Sequence, residues 1–347
     1  MKYKTVAYKG SKRKLLDDIV LLANEIGTRT IFDGFSGTGI VSAHLRQKGF
    51  QVDANDISDS AYIYGSVFLQ GYDKTVVDDL IYGMNHLMPE AGWLTENYSG
   101  SRKRLIRGTG GEVHERPLGY TTKNAMKLDA AREFVETLDI SEADRRALVF
   151  SIILAADSVF NNSNDQKSSL KDWQAKSLRD VVFEPPTLVE GFDGIQYRGN
   201  ILDADLGFYD TVYLDPPYTH GVLYDSCYHL NDSIARWDKP ELDHDYALPR
   251  PKKVCYRKNG QNAGMFYNKK TATKCFEDIS NKFNCRRLIL SYSDAPRNTL
   301  TIEELFDIFS KRGNCYIRTK DHKICTQPKS MNKISTSLKE YFIIIDT

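Results

Sequence analysis

The hydrophobic positions near the N-terminus predict a unit of strand, loop, helix and strand. The β-branched and aromatic run 30–32 predicts a strand that ends at Asp33. Apolar residues return at helical spacing in 40–47, which predicts a helix. The segment 50–54 predicts the next strand, and Asp56 lies just beyond it.

The rest of the chain alternates a region of loops and helices with further strands. From about residue 76 the pattern becomes polar and glycine-containing, which predicts loops, and two helices follow at 124–138 and 141–160. Further strands are predicted at 211–214, 288–292, 315–319 and 341–346, with a helix at 302–310. Strands that alternate with helices favour an α/β fold with a mostly parallel, doubly wound sheet.

Length and composition restrict the class of protein. A chain of 347 residues can form one large α/β domain, or a catalytic domain with a smaller lobe. The longest apolar run, 147–156, is shorter than the ~20 residues of a membrane span, and no secretory signal follows the lysine-rich N-terminus. We therefore expect a cytoplasmic protein without a membrane partner. Six cysteines without C-x-x-C spacing predict neither disulfides nor a zinc site, and no other metal site is predicted.

A glycine-rich segment follows the first predicted strand. The loop 34–39 would let the backbone approach a nucleoside, and Asp56, 23 residues after Asp33, is placed to bind a ribose hydroxyl. A dinucleotide site would have the pattern G-x-G-x-x-G, whereas this loop has G-x-x-G-x-G, so a nicotinamide cofactor is the weaker interpretation. An ordinary tight turn is the structural alternative.

The segment Asp215-Pro216-Pro217-Tyr218 directly follows an apolar strand. Two prolines end a strand, lack amide donors and restrict the backbone, so a rigid strand exit is the purely structural interpretation. The functional hypothesis is that the Asp215 carboxylate and the Pro216 carbonyl accept hydrogen bonds from an exocyclic amine, while Tyr218 stacks on the base. Methyl transfer from a sulfonium would then depend mainly on positioning, without a metal.

These motifs resemble those of the Dam-type, alpha-group DNA N6-adenine methyltransferases, which include enzymes of type II restriction–modification systems. The matching segments, in the family's order, are Tyr8-Lys9-Gly10-Ser11-Lys12, the run from Asp33 to Gly39, Asn55-Asp56-Ile57 and Asp215 to Tyr218. The resemblance extends over nearly the whole chain. It implies a Rossmann-like, S-adenosylmethionine-dependent methyltransferase fold.

The resemblance also implies roles for individual residues. The catalytic residues would be Asp215, Pro216, Pro217 and Tyr218. The residues in contact with S-adenosylmethionine would be Tyr8, Lys12, Asp33, Phe35, Ser36, Gly37, Thr38, Gly39, Asp56, Ile57, Asn200, Ile201 and Asp215. Lys12 would reach towards the carboxylate end of the cofactor, and Asn200 would hold its adenine. An acid is more usual in the family where Asn200 stands.

The predicted organisation has a catalytic domain interrupted by an insertion. Residues 1–78 and 196–347 would form the methyltransferase domain, and 79–195 an inserted, largely helical target-recognition region. Basic residues in 250–258 would help to hold DNA phosphates. The expected substrate is double-stranded DNA, from which the target base is flipped.

The favoured function is site-specific transfer of a methyl group from S-adenosylmethionine to N6 of adenine in duplex DNA, in a restriction–modification system with a partner endonuclease. An N4-cytosine enzyme, or an RNA or guanine-N2 methyltransferase, would use similar geometry. A nucleoside- or DNA-binding module without activity is an alternative of another class. A C5-cytosine enzyme is disfavoured because the chain has no Pro-Cys pair.

Overall fold

The structure is a computed structural model that describes residues 3–8, 10–105, 113–162, 165–166, 169–219, 224–244, 248–252, 265–323 and 337–347. The helices are α1 (Leu16–Asn24), α2 (Ile40–Gln47), α3 (Asp59–Gln70), α4 (Lys74–His86), α5 (Trp93–Tyr98), α6 (Thr122–Thr137), α7 (Glu142–Val159), α8 (Tyr224–Arg236), α9 (Ala272–Lys282) and α10 (Ile302–Phe309). The strands are β1 (Thr30–Asp33), β2 (Gln51–Asp56), β3 (Ser101–Leu105), β4 (Val113–Pro117), β5 (Gln196–Arg198), β6 (Tyr209–Leu214), β7 (Leu242–Asp243), β8 (Arg250–Pro251), β9 (Cys285–Ser293), β10 (Asn314–Lys323) and β11 (Ser337–Asp346).

The chain divides into two compact units, each built from segments that are distant in sequence. The sheet unit comprises Ser11–Gly65, Val189–Tyr224 and Asn259–Thr347, and the helical unit comprises Met1–Gly10, Ser66–Leu188 and Asp225–Lys258. Most of the predicted insertion, 79–188, thus shares its compact unit with the first ten residues, with 66–78 and with 225–258, whereas 189–195 belong to the sheet unit. The assignment of target recognition to the insertion stays a prediction.

The main sheet belongs to the sheet unit. Among the described residues it has seven strands in the order β10-β11-β9-β6-β1-β2-β5. The pairs β9–β6, β6–β1, β1–β2 and β2–β5 are parallel, whereas β11 is antiparallel to both β9 and β10. The predicted α/β fold with a mostly parallel sheet is therefore confirmed. Because β2 and β6 lie on opposite sides of β1, the strand order reverses between β1 and β6. Ligands of such sheets bind beside that point, at the carboxyl ends of the strands.

The central strands are buried on both faces. Phe32 of β1, Val212 and Leu214 of β6 and Leu290 of β9 have no exposed surface and belong to one hydrophobic core. Burial on both faces requires nearly continuous apolar runs, because neither set of alternating side chains meets water. This is why the short apolar runs recognised in the sequence overlap the central strands β1, β6 and β9.

The helical unit contains the two long helices that the sequence predicted. α6 and α7 agree with the predicted segments to within two residues at each end. Leu128, Val135, Leu148 and Ile152, on the predicted apolar faces, are fully buried. The side chain of Ser141 accepts a hydrogen bond of 3.1 Å from the amide of Asp144 and so caps the first turn of α7.

The prediction of polar loops from residue 76 was wrong at its start, where helix α4 forms. Asp73 caps this helix by accepting hydrogen bonds from the amides of Thr75 and Val76, and Val77, Ile81 and Met84 are buried. These three apolar residues have the spacing i, i+4 and i+7 of a helical face. The polar residues between them obscured that spacing.

Two further features bear on function. None of the helices among the described residues is long and apolar enough to cross a membrane. The described part of the chain also contains no group of three or more side chains that could hold a metal ion. Cys227, Cys275 and Cys285 are buried thiols, whereas the predictions for Cys255 and Cys325 concern residues outside the described ranges.

Candidate active site

The glycine loop after β1 is joined to both neighbouring strands of the sheet. The amide of Gly34 donates to the carbonyl of Tyr213 on β6 at 2.9 Å, and the amide of Ser36 donates to the carbonyl of Asn55 on β2 at 2.9 Å. Gly39 then enters α2 with a φ of 71°, in the left-handed region that favours glycine. The loop is therefore held at the carboxyl ends of three adjacent strands.

Asp33, at the end of β1, is a fully buried carboxylate. Its Oδ2 accepts a hydrogen bond of 2.6 Å from the hydroxyl of Ser42. Burial raises the pKa of Asp33 to about 7, and the nearby negative charges of Asp215 and Asp56 act in the same direction against the hydrogen bond from Ser42. Asp33 thus changes its charge near neutral pH.

Asp56, at the end of β2, connects its own strand to the glycine loop. One carboxylate oxygen accepts a hydrogen bond of 2.8 Å from the amide of Gly37, and the other accepts one of 2.9 Å from the amide of Ser58. Ile57, the neighbouring predicted residue, is half-buried. The acid that the sequence associated with a ribose therefore lies directly beside the loop.

Asp215, at the end of β6, forms an ion pair with Lys12. Lys12 Nζ lies 2.9 Å from Asp215 Oδ1 and 3.1 Å from Glu340 Oε1 of β11. The side chains of Lys12 and Glu340 are 5% and 4% exposed, whereas that of Asp215 is 19% exposed. Two carboxylates thus share one buried ammonium group, and only Asp215 has appreciable access from outside.

This cluster shifts the titration of its members. Burial alone would lower the pKa of Lys12, but the negative charges of Asp215 and Glu340 raise it well above its ordinary value. Burial raises the pKa of Asp215 to about 6, opposed by the ammonium of Lys12 and assisted by the charge of Glu340. Lys12 is therefore a permanent cation at neutral pH, and Asp215 is ionised above about pH 6.

Tyr218 ends the motif in a buried position. Its ring packs on Tyr292 with the ring centroids 4.1 Å apart, and it is 9% exposed. Its carbonyl accepts hydrogen bonds from the amide of Thr299 at 3.0 Å and from the Thr299 hydroxyl at 2.7 Å. Between Asp215 and Tyr218, Pro216 is buried and Pro217 half-buried, and neither has an amide hydrogen to donate. The segment is therefore anchored at both ends.

Asn200 and Ile201 follow β5. Asn200 Oδ1 accepts a hydrogen bond of 3.2 Å from the amide of Leu202, and its Nδ2 donates to Asp203 at 3.2 Å, so the side chain closes a turn. Ile201 is 2% exposed and packs in the core of the sheet unit. Asn55 Nδ2 donates to the carbonyl of Gly199 at 3.1 Å, which connects this turn to the end of β2.

The sheet unit contains every predicted site residue except Tyr8. It brings together the segments that follow β1, β2, β5 and β6, and Thr38 and Ser36 of the glycine loop are both buried there. Phe35 packs edge-on against Phe266 with the ring centroids 5.3 Å apart. Tyr8 belongs to the helical unit, where its ring stacks on that of Tyr228 at 4.4 Å.

Sequence reasoning missed Glu340. The residue is separated from Asp215 by 125 positions and belongs to a strand that also contains the charged residues Lys339 and Asp346, so no local motif marks it. The signal that could have found it is a lone acidic side chain in front of the apolar run 341–345, in a strand that is buried next to β9. An acid in such a strand needs a cation or hydrogen-bond donor.

Comparison with protein families identifies the class of this site. A model of the D12 class of N6 adenine-specific DNA methyltransferases matches residues 8–293, well over half of the chain. The chain belongs to this family. Membership confirms the predicted family, the enzyme class of adenine-specific DNA methyltransferases and the S-adenosylmethionine cofactor, and it makes DNA the substrate.

Curated relatives agree with this membership at low identity. The chain is 26% identical to modification methylase LlaI of Lactococcus lactis subsp. lactis, with 97% of this chain aligned, but it spans only about half (54%) of that protein's length. It is 24% identical to type II methyltransferase M.NlaIII of Neisseria lactamica, with 98% of each protein aligned. The same values hold for M.CviAII of Paramecium bursaria Chlorella virus 1.

The charges of the site fit S-adenosylmethionine. Asp33, Asp56 and Asp215 place three carboxylates at the ends of adjacent strands, and the burial of Asp33 and Asp215 raises the pKa of both. Burial disfavours the ionised form of both acids, and a cationic ligand beside them would favour that form again. S-adenosylmethionine carries a sulfonium and an ammonium group. Asp33 and Asp56 are therefore suited to hold it beside Asp215.

Proposed function

We propose that this chain methylates N6 of adenine at a specific sequence in double-stranded DNA, after the base is flipped out of the helix, as the modification enzyme of a restriction–modification system. The observation that carries the proposal is the position of Asp215-Pro216-Pro217-Tyr218. This segment follows β6, next to the glycine loop that follows β1, at the reversal of strand order. That is where an α/β sheet binds its ligands.

The residues of β6 would orient the amine. Asp215 is ionised above about pH 6 and can accept a hydrogen bond from N6. The carbonyl of Pro216 would accept the second N–H, because the two prolines restrict the backbone that carries it. With both hydrogens engaged, the nitrogen lone pair is directed away from the ring and towards the methyl donor. Tyr218, held by Tyr292 and Thr299, would form one wall for the flipped base.

The glycine loop and the acids beside it would hold the cofactor. When bound, S-adenosylmethionine supplies an electrophilic methyl group, which the N6 lone pair takes while the carbon–sulfur bond breaks and its electron pair remains on sulfur. The methylated amine then loses one proton, which the Asp215 carboxylate is placed to accept before solvent removes it. Positioning and charge supply most of the rate, since no covalent enzyme intermediate is needed.

Target recognition is assigned to the insertion, 79–195, together with basic residues of 250–258. Arg102 and Lys103 of β3 are exposed in the insertion, and side chains of this kind hold phosphates. Of the basic run, residues 253–258 lie outside the described ranges. The names of the relatives, a modification methylase and type II methyltransferases, support a role beside a restriction endonuclease. This role would be exercised in the cytoplasm, where bacterial DNA lies.

A labelled-methyl assay tests the proposal. The purified protein would be incubated with S-adenosylmethionine labelled in its methyl group and with duplex DNA, single-stranded DNA or RNA. We expect incorporation into duplex DNA, as N6-methyladenine at one short sequence found by sequencing that reports modified adenines. Incorporation into cytosine or into RNA alone, or no incorporation into any substrate, would refute it.

A further inference from the structure

We propose that Glu340 is a positioning residue for methyl transfer: it shares the ammonium of Lys12, so that Lys12 does not fully neutralise the ionised Asp215 carboxylate, which accepts a hydrogen bond from the amine. This inference rests on the proposed role of Asp215. Its basis is the geometry of three buried groups, with Lys12 Nζ 2.9 Å from Asp215 and 3.1 Å from Glu340.

The charge count of the cluster shows what Glu340 adds. Lys12 and Asp215 alone would form a neutral pair, and a carboxylate fully engaged by an ammonium is a weak acceptor for another donor. With Glu340 the three groups carry a net charge of −1. Because Glu340 is 4% exposed and Asp215 is 19% exposed, the uncompensated charge can reach an incoming amine only through Asp215.

Glu340 is held in contact with Lys12 by neighbouring groups of the sheet. Ser291 of β9 donates a hydrogen bond of 2.5 Å from its hydroxyl to Glu340 Oε1, the same oxygen that Lys12 approaches. β11 is paired with β9 on one side and with β10 on the other, and Glu340 lies in register with Ser293 and Lys320. The side chain is therefore oriented by the sheet and does not depend on substrate for its position.

Other titratable groups around the cluster do not replace Glu340. Asp33, from the end of β1, is close enough for the charge of Asp215 to raise its pKa, but it bonds to Ser42. Tyr213 and Tyr218 of the β6 segment face the ammonium of Lys12, and burial raises the pKa of both phenols far above neutrality. Lys320, the neighbour on β10, is paired with Asp18 at 2.9 Å. Glu340 is thus the second anion in contact with Lys12 among the described residues.

The variant Glu340→Gln tests this inference, because it keeps the shape and an acceptor for Lys12 but removes the charge. Single-turnover rates of methyl transfer to duplex DNA would be measured from pH 5 to pH 9. In the wild type we expect an acid limb near pH 6, where Asp215 is protonated. In Glu340→Gln we expect the limb roughly one pH unit lower and a plateau about tenfold lower, with the KM for DNA unchanged.

Controls separate this effect from a loss of structure. Lys339→Gln changes one charge on the exposed neighbouring residue of the same strand and should alter neither the limb nor the plateau. Glu340→Asp keeps the charge and should partly restore the plateau. Ser291→Ala removes the hydroxyl that orients Glu340. It should lower the plateau about threefold, which is a smaller fall than that expected for Glu340→Gln.

The outcomes distinguish the inference from the proposed function. If the wild type transfers no methyl group to DNA, the proposed function itself fails. If the wild type is active and Glu340→Gln keeps both its plateau rate and its acid limb, Glu340 has no positioning role and the inference is overturned. If circular dichroism shows that Glu340→Gln is unfolded, the transfer rate of Ser291→Ala is the deciding measurement. An unchanged plateau in that variant would overturn the inference.

Discussion

Asp33 and Asp215 occupy equivalent places at the ends of the adjacent strands β1 and β6, but their surroundings differ. Asp33 is fully buried, and its hydrogen-bond donors are neutral: the hydroxyl of Ser42 at 2.6 Å and the backbone amide of Phe35. Asp215 is 19% exposed and contacts the ammonium of Lys12 at 2.9 Å. Burial raises the pKa of Asp33 to about 7 and that of Asp215 to about 6.

The difference shows how two acids at the ends of adjacent strands can have different roles, because their hydrogen-bond and ion-pair partners differ. A hydroxyl donates a hydrogen bond but supplies no positive charge, so Asp33 takes up a proton readily and favours a cationic ligand as its partner. An ammonium keeps Asp215 ionised at neutral pH while its exposed edge faces the outside. We infer that Asp33 responds mainly to the cofactor and Asp215 mainly to the substrate amine.

Removing Asp215 should have the largest effect. In Asp215→Ala the amine loses its carboxylate acceptor, and we expect methyl transfer to fall by a factor of about 10²–10³ or more, as when a transition-state hydrogen-bond partner is deleted. Binding of S-adenosylmethionine and DNA should partly survive, as measured by calorimetry and gel shift. Asp205→Ala, which changes an exposed acid of the same unit, is the matched control. Full activity of Asp215→Ala would refute the assigned role.

Neutralising Asp33 should have an intermediate effect, on cofactor affinity. At pH 8 Asp33 is ionised in the wild type, so Asp33→Asn should weaken binding of S-adenosylmethionine about tenfold, equivalent to one unit of pKa coupling. Wild-type affinity should strengthen as the pH rises through about 7, whereas the affinity of Asp33→Asn should lack that step. Calorimetric titrations between pH 5.5 and pH 8.5 would measure both. An identical pH dependence in the two proteins would contradict the assignment of Asp33.

The smallest expected effect is on the stability of the ligand-free protein. The pKa of Asp33 rises from 3.8 to about 7, so the folded state binds the proton more tightly and stability falls as the pH rises between these values. The stability of Asp33→Asn should not fall over this pH range, because the asparagine amide carries no charge. We therefore expect its melting temperature to exceed that of the wild type by a few degrees at pH 8 and to equal it below about pH 4. Thermal melts at the two pH values are the measurement, and a lower melting temperature at pH 8 would contradict this account.

The sequence was informative where the constraint is local. The glycine loop and Asp215 to Tyr218 each follow a strand within a few residues, and the runs that predicted β1 and β6 are continuous because both strands are buried on both faces. The helix α4 was missed because its three buried residues lie among polar ones. Its cap, Asp73, resembles any aspartate in a turn.

The residue types and their order along the chain were enough to predict the α/β class, the family and the acids at the strand ends, because backbone geometry and motif chemistry act over short distances. Only the tertiary structure decided which of those acids receives a cation. Lys12 and Glu340 are 328 positions apart in sequence, yet Lys12 Nζ lies 3.1 Å from Glu340 Oε1 and 2.9 Å from Asp215 Oδ1. Strand pairing between β9 and β11 creates that proximity, and electrostatic interaction depends on distance in space.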